Sequence, residues 1–305
     1  MAIPQKLLEQ CLKVKDKLTW EETIQYIRTK PEFRNLVEKA YFEEELSLNI
    51  DRFRKSEEFV ETVKLIKQYQ PDGHSILDIG SGNGISTIAL ALEGFKVVAI
   101  EPDSSNTVGA GAIRKLKSHY NLTNVEVCET FAEDLHFPEE YFDIVYARQC
   151  MHHAYDLEKF ISQAGRVLKK GGLFITIRDH VIFNEKDKNW FLENHPLQKY
   201  YGGENAFEPV EYKNAMQKAG LELCREIKYY DSVINYFPMS SREKQEMLNV
   251  KKQRLILKLN KKIGKLSKLR ILKNILFRMK KLTMENVYDE TKVPGRMYSY
   301  VCIKR

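Results

Sequence analysis

The stretch SILDIGSGNGISTIALALEGFKVVAIEPD, Ser75 to Asp103, decides the fold. A short apolar run ends at Ile79, and three alternate glycines, Gly80, Gly82 and Gly84, separate it from a helix-forming segment that opens at Ile85. Glycine inside an element costs about 0.5–1 kcal/mol relative to alanine. Three so close together mark a backbone that bends sharply or admits a ligand. Placed between a strand and a helix, they turn backbone N–H groups and the helix N-terminus toward that ligand. The spacing is GxGxG, whereas a dinucleotide fingerprint, GxGxxG, would need its third glycine where Ile85 stands. NAD or FAD is therefore the weaker reading. Glu101 ends the next apolar run, 21 residues beyond Gly80, where a carboxylate can accept both hydroxyls of a ribose. Singly, the glycines could be a tight turn and Glu101 a solvated loop residue. Together they read as a ligand loop.

Short β-rich runs and helical runs alternate outward from this stretch. The strands expected are 75–79, 96–100, 124–128, 142–147 and 172–178, with helices over 85–92, 105–119 and 157–168. Alternation of this length implies an α/β fold, a parallel sheet with helices on both faces. Ligands bind such sheets at the carboxyl ends of the strands. A helix over 209–218, stopped by Gly220, leads to a sixth strand at 221–230, and GRMYSYVCIKR alternates like a final one. The first 70 residues read as helices: TWEE (Thr19 to Glu22) has capping-box spacing, Pro31 suits a first turn, and Ser56 suits an N-cap. The organisation expected is an N-terminal helical lid (1–70), a core (71–237), a basic helical insertion (238–290) and a final core strand (291–305).

Hydrophobic residues at 43% and charged residues at 30% of the 305 are ordinary for a globular chain. The N-terminus lacks the apolar core of a secretory signal, and no long apolar run suggests a membrane span. Cys11, Cys128, Cys150, Cys224 and Cys302 are scattered and never in a CxxC pair. Reduced thiols in a cytoplasmic protein are expected. The net charge of +7 is concentrated: Lys251 to Lys281 holds 13 Lys or Arg and no Asp or Glu, leaving the rest net acidic. Leu255, Leu259, Ile263, Leu266, Leu269, Leu272 and Leu276 form an apolar stripe at helical spacing there, with a break at Gly264 and Ser267. A basic amphipathic helix suits an anionic membrane surface, which would make the protein peripheral on the inner face of a membrane. Nucleic acid is the other polyanion, but Lys251–Lys273 carries no interleaved aromatics for stacking. Helices packed on the domain with their lysines in solvent are the plainer reading.

Two further stretches, FAEDLHFPEEYFDIVYARQCMHH (Phe131 to His153) and AGRVLKKGGLFITI (Ala164 to Ile177), complete a set of ordered motifs. In combination they resemble the class I S-adenosylmethionine-dependent methyltransferases, the broad family that methylates small molecules and quinone rings. His136 and Lys170 stand where that family usually has proline. The resemblance covers about a third of the chain, Ser75 to Ile177. It implies a Rossmann-like seven-stranded sheet in order 3-2-1-4-5-7-6 with only the last strand antiparallel. It also implies S-adenosyl-L-methionine as cofactor and S-adenosyl-L-homocysteine as product. By the same resemblance Asp78, Gly80, Ser81, Gly82 and Gly84 hold the methionine portion, with Asp78 near the ammonium. Glu101 takes the ribose and Pro102 packs beside the adenine. Phe131, Ala132 and Glu133 form the adenine segment, in which Phe131 cannot accept from the amino group, so Glu133 takes that role or the contact is lost. Ala147 and Arg148 lie beneath the sulfonium.

Methyl transfer from a sulfonium is an in-line displacement, so orientation of the acceptor dominates. A hydroxyl acceptor also needs a general base, most often histidine. The candidates after the strand ends are His152, His153, Asp179, His180 and His195. Each has a plain alternative, His152 or His153 packing under the following helix and Asp179 only capping or orienting. Asp179, His180, His195 and Glu204 could instead ligate a metal, as in some sugar-methylating enzymes, but their spacing matches no recognised ligand pattern and no metal is expected. The loop YYGGEN (Tyr200 to Asn205) suits closure on a polar acceptor or a surface turn. Acceptor contacts are expected from Tyr41, Arg54, Arg178, Tyr201, Glu204 and Asn205. The function expected is O-methylation of a small polar molecule or glycan, lipid-linked if the basic segment meets a membrane. The alternatives are an RNA-directed methyltransferase and a catalytically silent scaffold that retains the cofactor site.

Overall fold

The apolar runs assemble into a seven-stranded sheet in order β3-β2-β1-β4-β5-β7-β6. In the computed structural model, which describes residues 17–263 and 288–305, the strands are β1 (Ser75–Ile79), β2 (Lys96–Ile100), β3 (Val125–Cys128), β4 (Phe142–Arg148), β5 (Leu168–His180), β6 (Leu221–Ile227) and β7 (Met297–Lys304). β1 to β5 pair in parallel, and β7 runs antiparallel to both β5 and β6. The order and the single reversed strand are those the family resemblance implies.

Successive side chains of a strand point to opposite faces, and the core divides accordingly. Leu77, Ile79, Val98, Ile100 and Phe174 pack on one side of the sheet. Ile76, Val97, Ile144, Ile175 and Ile177 pack on the other. Strands buried on both faces read as the near-continuous apolar runs seen in β1 and β2. Both have the expected bounds, as do the helices Ile85–Leu92 and Pro209–Lys218. Helix starts follow their caps. Thr19 and Glu22 close a reciprocal capping box of 2.7 and 3.2 Å, and Ser56 Oγ accepts from Phe59 N at 3.1 Å to open Glu57–Tyr69.

Other boundaries move for local reasons. The helix expected from Ser105 begins at Ala110. Asp103 Oδ1 accepts from Ser105 N at 2.8 Å and holds the intervening residues in a turn. β5 runs past both expected ends, its irregular start absorbed by a register shift opposite Phe142 and Ile144. β6 stops at Ile227 because Asn235 Nδ2 donates to the carbonyls of Ile227 and Lys228, at 2.7 and 3.0 Å, and ends the ladder. The helix Ser241–Ile263 lies at the start of the segment expected as a basic helical insertion. Leu266, Leu269, Leu272, Leu276 and the expected break at Gly264 and Ser267 lie outside the described residues, as does Cys11. Among the described residues no helix is long and apolar enough to cross a membrane.

Asp143 ties the start of the sheet together. Its Oδ2 accepts from Ser75 N at 2.9 Å, Ser75 Oγ at 2.7 Å and His74 N at 3.1 Å, and its Oδ1 meets Lys169 Nζ at 2.6 Å. Burial alone would raise its pKa, but the Lys169 ammonium and the Ser75 and His74 donors hold it below the usual carboxylate range. A carboxyl depressed on folding stabilises the fold above its unfolded pKa, about 4, and loses that contribution as pH falls toward the folded value. Asp143→Ala is expected to cost about 1–3 kcal/mol near neutral pH. Its thermal stability should also fall less steeply than wild type between about pH 4 and pH 2, which melting curves across that range would show.

Candidate functional site

The carboxyl ends of β1, β4 and β5 open into one cavity of about 1130 Å³. Residues of the glycine loop line one part of it and four histidines another.

Gly80 takes φ +65° and lies so close to Cys150 that a Cβ would stand 2.5 Å from the Cys150 Cβ. Only glycine fits there. The expectation that the loop's N–H groups face a ligand needs correction at three positions. Gly80 N and Ser81 N both donate to Ile100 O, at 3.0 and 3.1 Å, and Gly82 N donates to Glu101 Oε2 at 2.7 Å. What the loop offers the cavity is therefore its carboxylates. Burial raises Glu101 to about 7 despite the N–H bonds from Asp103 and Gly82. It raises Asp78 to about 7 as well, although Thr87 Oγ1 donates to Asp78 Oδ2 at 2.5 Å. Pro102, Phe131, Ala132 and Glu133 line the same region. Glu133 Oε1 is engaged by Tyr155 N at 3.2 Å, while the Phe131 ring lies 45% exposed.

Beyond this cradle sits a buried ion-pair group that the sequence reading missed. The carboxylate of Glu58 accepts from Arg148 Nε at 2.6 Å and Nη2 at 3.1 Å, and Arg178 Nη1 lies 3.6 Å from it. Burial would lower the Arg148 pKa, but Glu58 holds it above the ordinary value; at Arg178 burial prevails and lowers it. Arg178 is committed to Glu58 and to Ile234 O, 2.9 Å away. Glu58 was legible in principle: it shares a helix face with Thr62 and Leu65, both buried.

The histidines converge on Glu204, a side chain 6% exposed. His195 Nε2 lies 3.5 Å from its Oε1, and His152 Nε2 lies 3.8 Å from its Oε2. The Tyr201 hydroxyl donates to Oε1. Burial holds His152 well below its usual pKa, lowers His195, and brings His180 down to about 4. Burial works against the Glu204 carboxylate, but the surrounding histidines and Tyr201 outweigh it and keep its pKa low.

The other residues expected at the cofactor and at the acceptor divide. His153 and Tyr201 line the cavity, with Ser81 beside the glycine loop. Ala147, Gly84, Asp179, Tyr41, Arg54 and Asn205 do not line it. Ala147 is fully buried within β4, and a Cβ on Gly84 would meet Ile113 at 3.0 Å, so that glycine serves helix packing. Asp179 lies behind His152 and bonds its ring and its backbone N–H, both at 3.1 Å. It orients and does not reach the cavity. Tyr41 packs against Phe53 and Phe237, and its carbonyl accepts from Asn83 Nδ2 at 2.8 Å. Arg54 pairs with Glu93 at 3.1 Å, past the far end of the helix that the glycine loop begins. Trp20, Gln149 and Cys150 line the cavity without having been singled out for it.

The sequence pattern of the family described as a methyltransferase domain matches residues 50–226, more than half of the chain. The chain belongs to that family. It is 31% identical over 107 residues to an uncharacterized methyltransferase, YcgJ, of Bacillus subtilis, covering 35% of this chain and 41% of the relative. It is 33% identical over 107 residues to a ubiquinone biosynthesis O-methyltransferase of Bradyrhizobium, covering 34% and 39%. These matches span about two fifths of the relatives' length. Among solved structures, the geranyl diphosphate C-methyltransferase of Streptomyces coelicolor, in complex with Mg²⁺, geranyl diphosphate and S-adenosyl-L-homocysteine, superposes with a TM-score of 0.53 at 13% identity. That alignment covers 81% of this chain and 79% of the other, a likeness of fold.

Removing Glu58 would strand two guanidinium groups below the cavity. Glu58→Ala is expected to destabilise the protein by about 3–5 kcal/mol. Urea denaturation read by far-UV circular dichroism measures it, and Glu58→Gln should be milder because it can still accept hydrogen bonds.

Proposed function

We propose that this protein is an S-adenosylmethionine-dependent methyltransferase acting on a hydroxyl of a small polar molecule or glycan. One observation carries the reading: a single cavity joins the carboxylate cradle of Asp78 and Glu101 to a cluster of four imidazoles. The cradle suits the cofactor chemically. Glu101, 8% exposed, is a dry acceptor for ribose hydroxyls, Asp78 is an anion for an ammonium, and Ala132 with Phe131 offers an apolar edge to an adenine. The relatives named for ubiquinone biosynthesis include both O- and C-methyltransferases, so the oxygen acceptor rests on the histidines.

Bound S-adenosylmethionine supplies a sulfonium methyl that is transferred as its S–C bond breaks, the electron pair staying on sulfur. The chain's task is to align the acceptor oxygen and take its proton. The reading gives His153 the second role. Its Nδ1 lies 3.0 Å from Gly203 O, and a carbonyl only accepts, so Nδ1 carries the hydrogen and Nε2 keeps a lone pair. Tyr201 and the histidines around Glu204 bound the acceptor end. Arg148 and Arg178, both spent on Glu58, shape the floor without contacting the proton.

Calorimetry should show cofactor or product binding, weakened at least tenfold by Glu101→Ala, a loss of about 1.4 kcal/mol or more. Failure of the folded chain to bind either compound would remove the reading. The acceptor is to be sought by comparing metabolites and glycans of a deletion strain with wild type. On that acceptor His153→Ala should lower kcat by about 10²–10⁴-fold; wild-type rates in His153→Ala, His180→Ala and His195→Ala alike would eliminate a histidine base. Turnover with any acceptor excludes the silent scaffold.

A further inference from the structure

The geometry points to a metal site. We propose that Glu204, His180 and His195 bind one divalent transition-metal ion of the zinc or iron type. The proposal rests on reading the cavity as the acceptor site of a methyltransferase.

Four observations converge. The ligand atoms of His180, His195 and Glu204 all lie within 4.8 Å of one another, as do those of His152, His153 and Glu204. The 3.5 Å between His195 Nε2 and Glu204 Oε1 is close to the ~3.4 Å that separates two ligands each ~2.1 Å from a tetrahedral ion.

Next, three of the four histidines are held as ligands are held, His195 being the exception. His180 Nδ1 lies 3.1 Å from Gly295 O and His153 Nδ1 lies 3.0 Å from Gly203 O. Both acceptors are carbonyls, so both rings keep a free lone pair on Nε2. His152 Nδ1 is likewise backed by the Asp179 carboxyl, 3.1 Å away. Metal-binding histidines are oriented in this way, their second nitrogen tied to a carbonyl or carboxylate.

Third, Glu204 Oε2 and His195 Nδ1 are buried with no hydrogen-bond partner. A buried polar atom left unpaired is expensive, and a cation on the carboxylate would satisfy the first.

Last, charge is unbalanced. Among the described residues no Lys or Arg pairs with Glu204; its neighbours are imidazoles and the Tyr201 hydroxyl. None of these described neighbours carries a permanent positive charge.

The donor set also selects the ion. Imidazole suits zinc, iron, copper and nickel, whereas magnesium and calcium prefer all-oxygen cages. Two histidines and one glutamate leave a coordination position open, as in catalytic zinc sites, and the cavity gives an acceptor oxygen access to it. A metal held there would fix that oxygen and favour its deprotonated form. This narrows the acceptor to molecules whose target hydroxyl can ligate a metal.

The test uses the full chain, stripped with EDTA, dialysed, and titrated with Zn²⁺ alone and with Co²⁺ alone. One equivalent should bind, Co²⁺ should give visible d–d absorption of a nitrogen- and oxygen-ligated ion, and excess Mg²⁺ should not displace Zn²⁺. Glu204→Gln, His180→Ala and His195→Ala should each weaken binding at least tenfold, whereas the exposed His136→Ala should not. Absence of stoichiometric binding, or equal binding in Glu204→Gln and His195→Ala, would overturn the site and leave a purely hydrogen-bonded cluster. If the variants fail to fold, the wild-type Co²⁺ spectrum decides alone. Binding of S-adenosylmethionine is measured on the same samples: a chain that takes the cofactor but no metal refutes only this inference, and one that takes neither refutes the methyltransferase reading too.

Discussion

A fully buried carboxylate anchors two strand ends and one helix at a single point. Glu58 projects from the helix Glu57–Tyr69 and is met by Arg148 at the end of β4 and Arg178 near the end of β5. Neither arginine could stay buried without it, since an unpaired guanidinium in an apolar interior is severely penalised. The backbone bends beside these contacts: Gln149 and Arg178 take φ of +52° and +64°, a region ordinary side chains avoid. Such strain persists only where the surroundings over-determine it. The pairing thus fixes where β4 and β5 deliver the residues that follow them, His152, His153 and His180 among them.

Much of the fold could be read from the chain because its central strands are buried on both faces. SILDI and KVVAI are apolar runs bounded by loop formers, and no helix of that length would be stable alone. β1 and β2 accordingly have the expected ends. The ends that moved are set by contacts between residues far apart in sequence, as where Asn235 closes β6, and periodicity carries no trace of those.

The site was legible as a set of residues and much less as an arrangement. His152, His153, His180, His195 and Glu204 follow from the rule that ligands meet sheets at strand ends, yet nothing in their spacing says that all face one carboxylate. They come from three separate stretches, and a metal pattern is sought within one. Glu58 escaped because a charged residue on an amphipathic helix is usually solvated. Asp179 looked like a base because it ends a strand, and the fold turns it to the back of His152. Glycine-loop N–H groups looked free because their acceptors, Ile100 O and Glu101, lie on a different strand.

The position of β7 bears on how the protein is made. β6 is bonded to β7 alone, and β7 is wedged between it and β5. During synthesis Leu221–Ile227 therefore leaves the ribosome with no strand to join, and the edge of β5 stays bare until Met297–Lys304 arrives. Unpaired edges invite pairing with other chains, and contacts between distant segments form slowly. Until Met297–Lys304 has been added, the final partner of both β5 and β6 is missing from the chain. A chaperone that shields strand edges would have its longest opportunity on this chain in that interval.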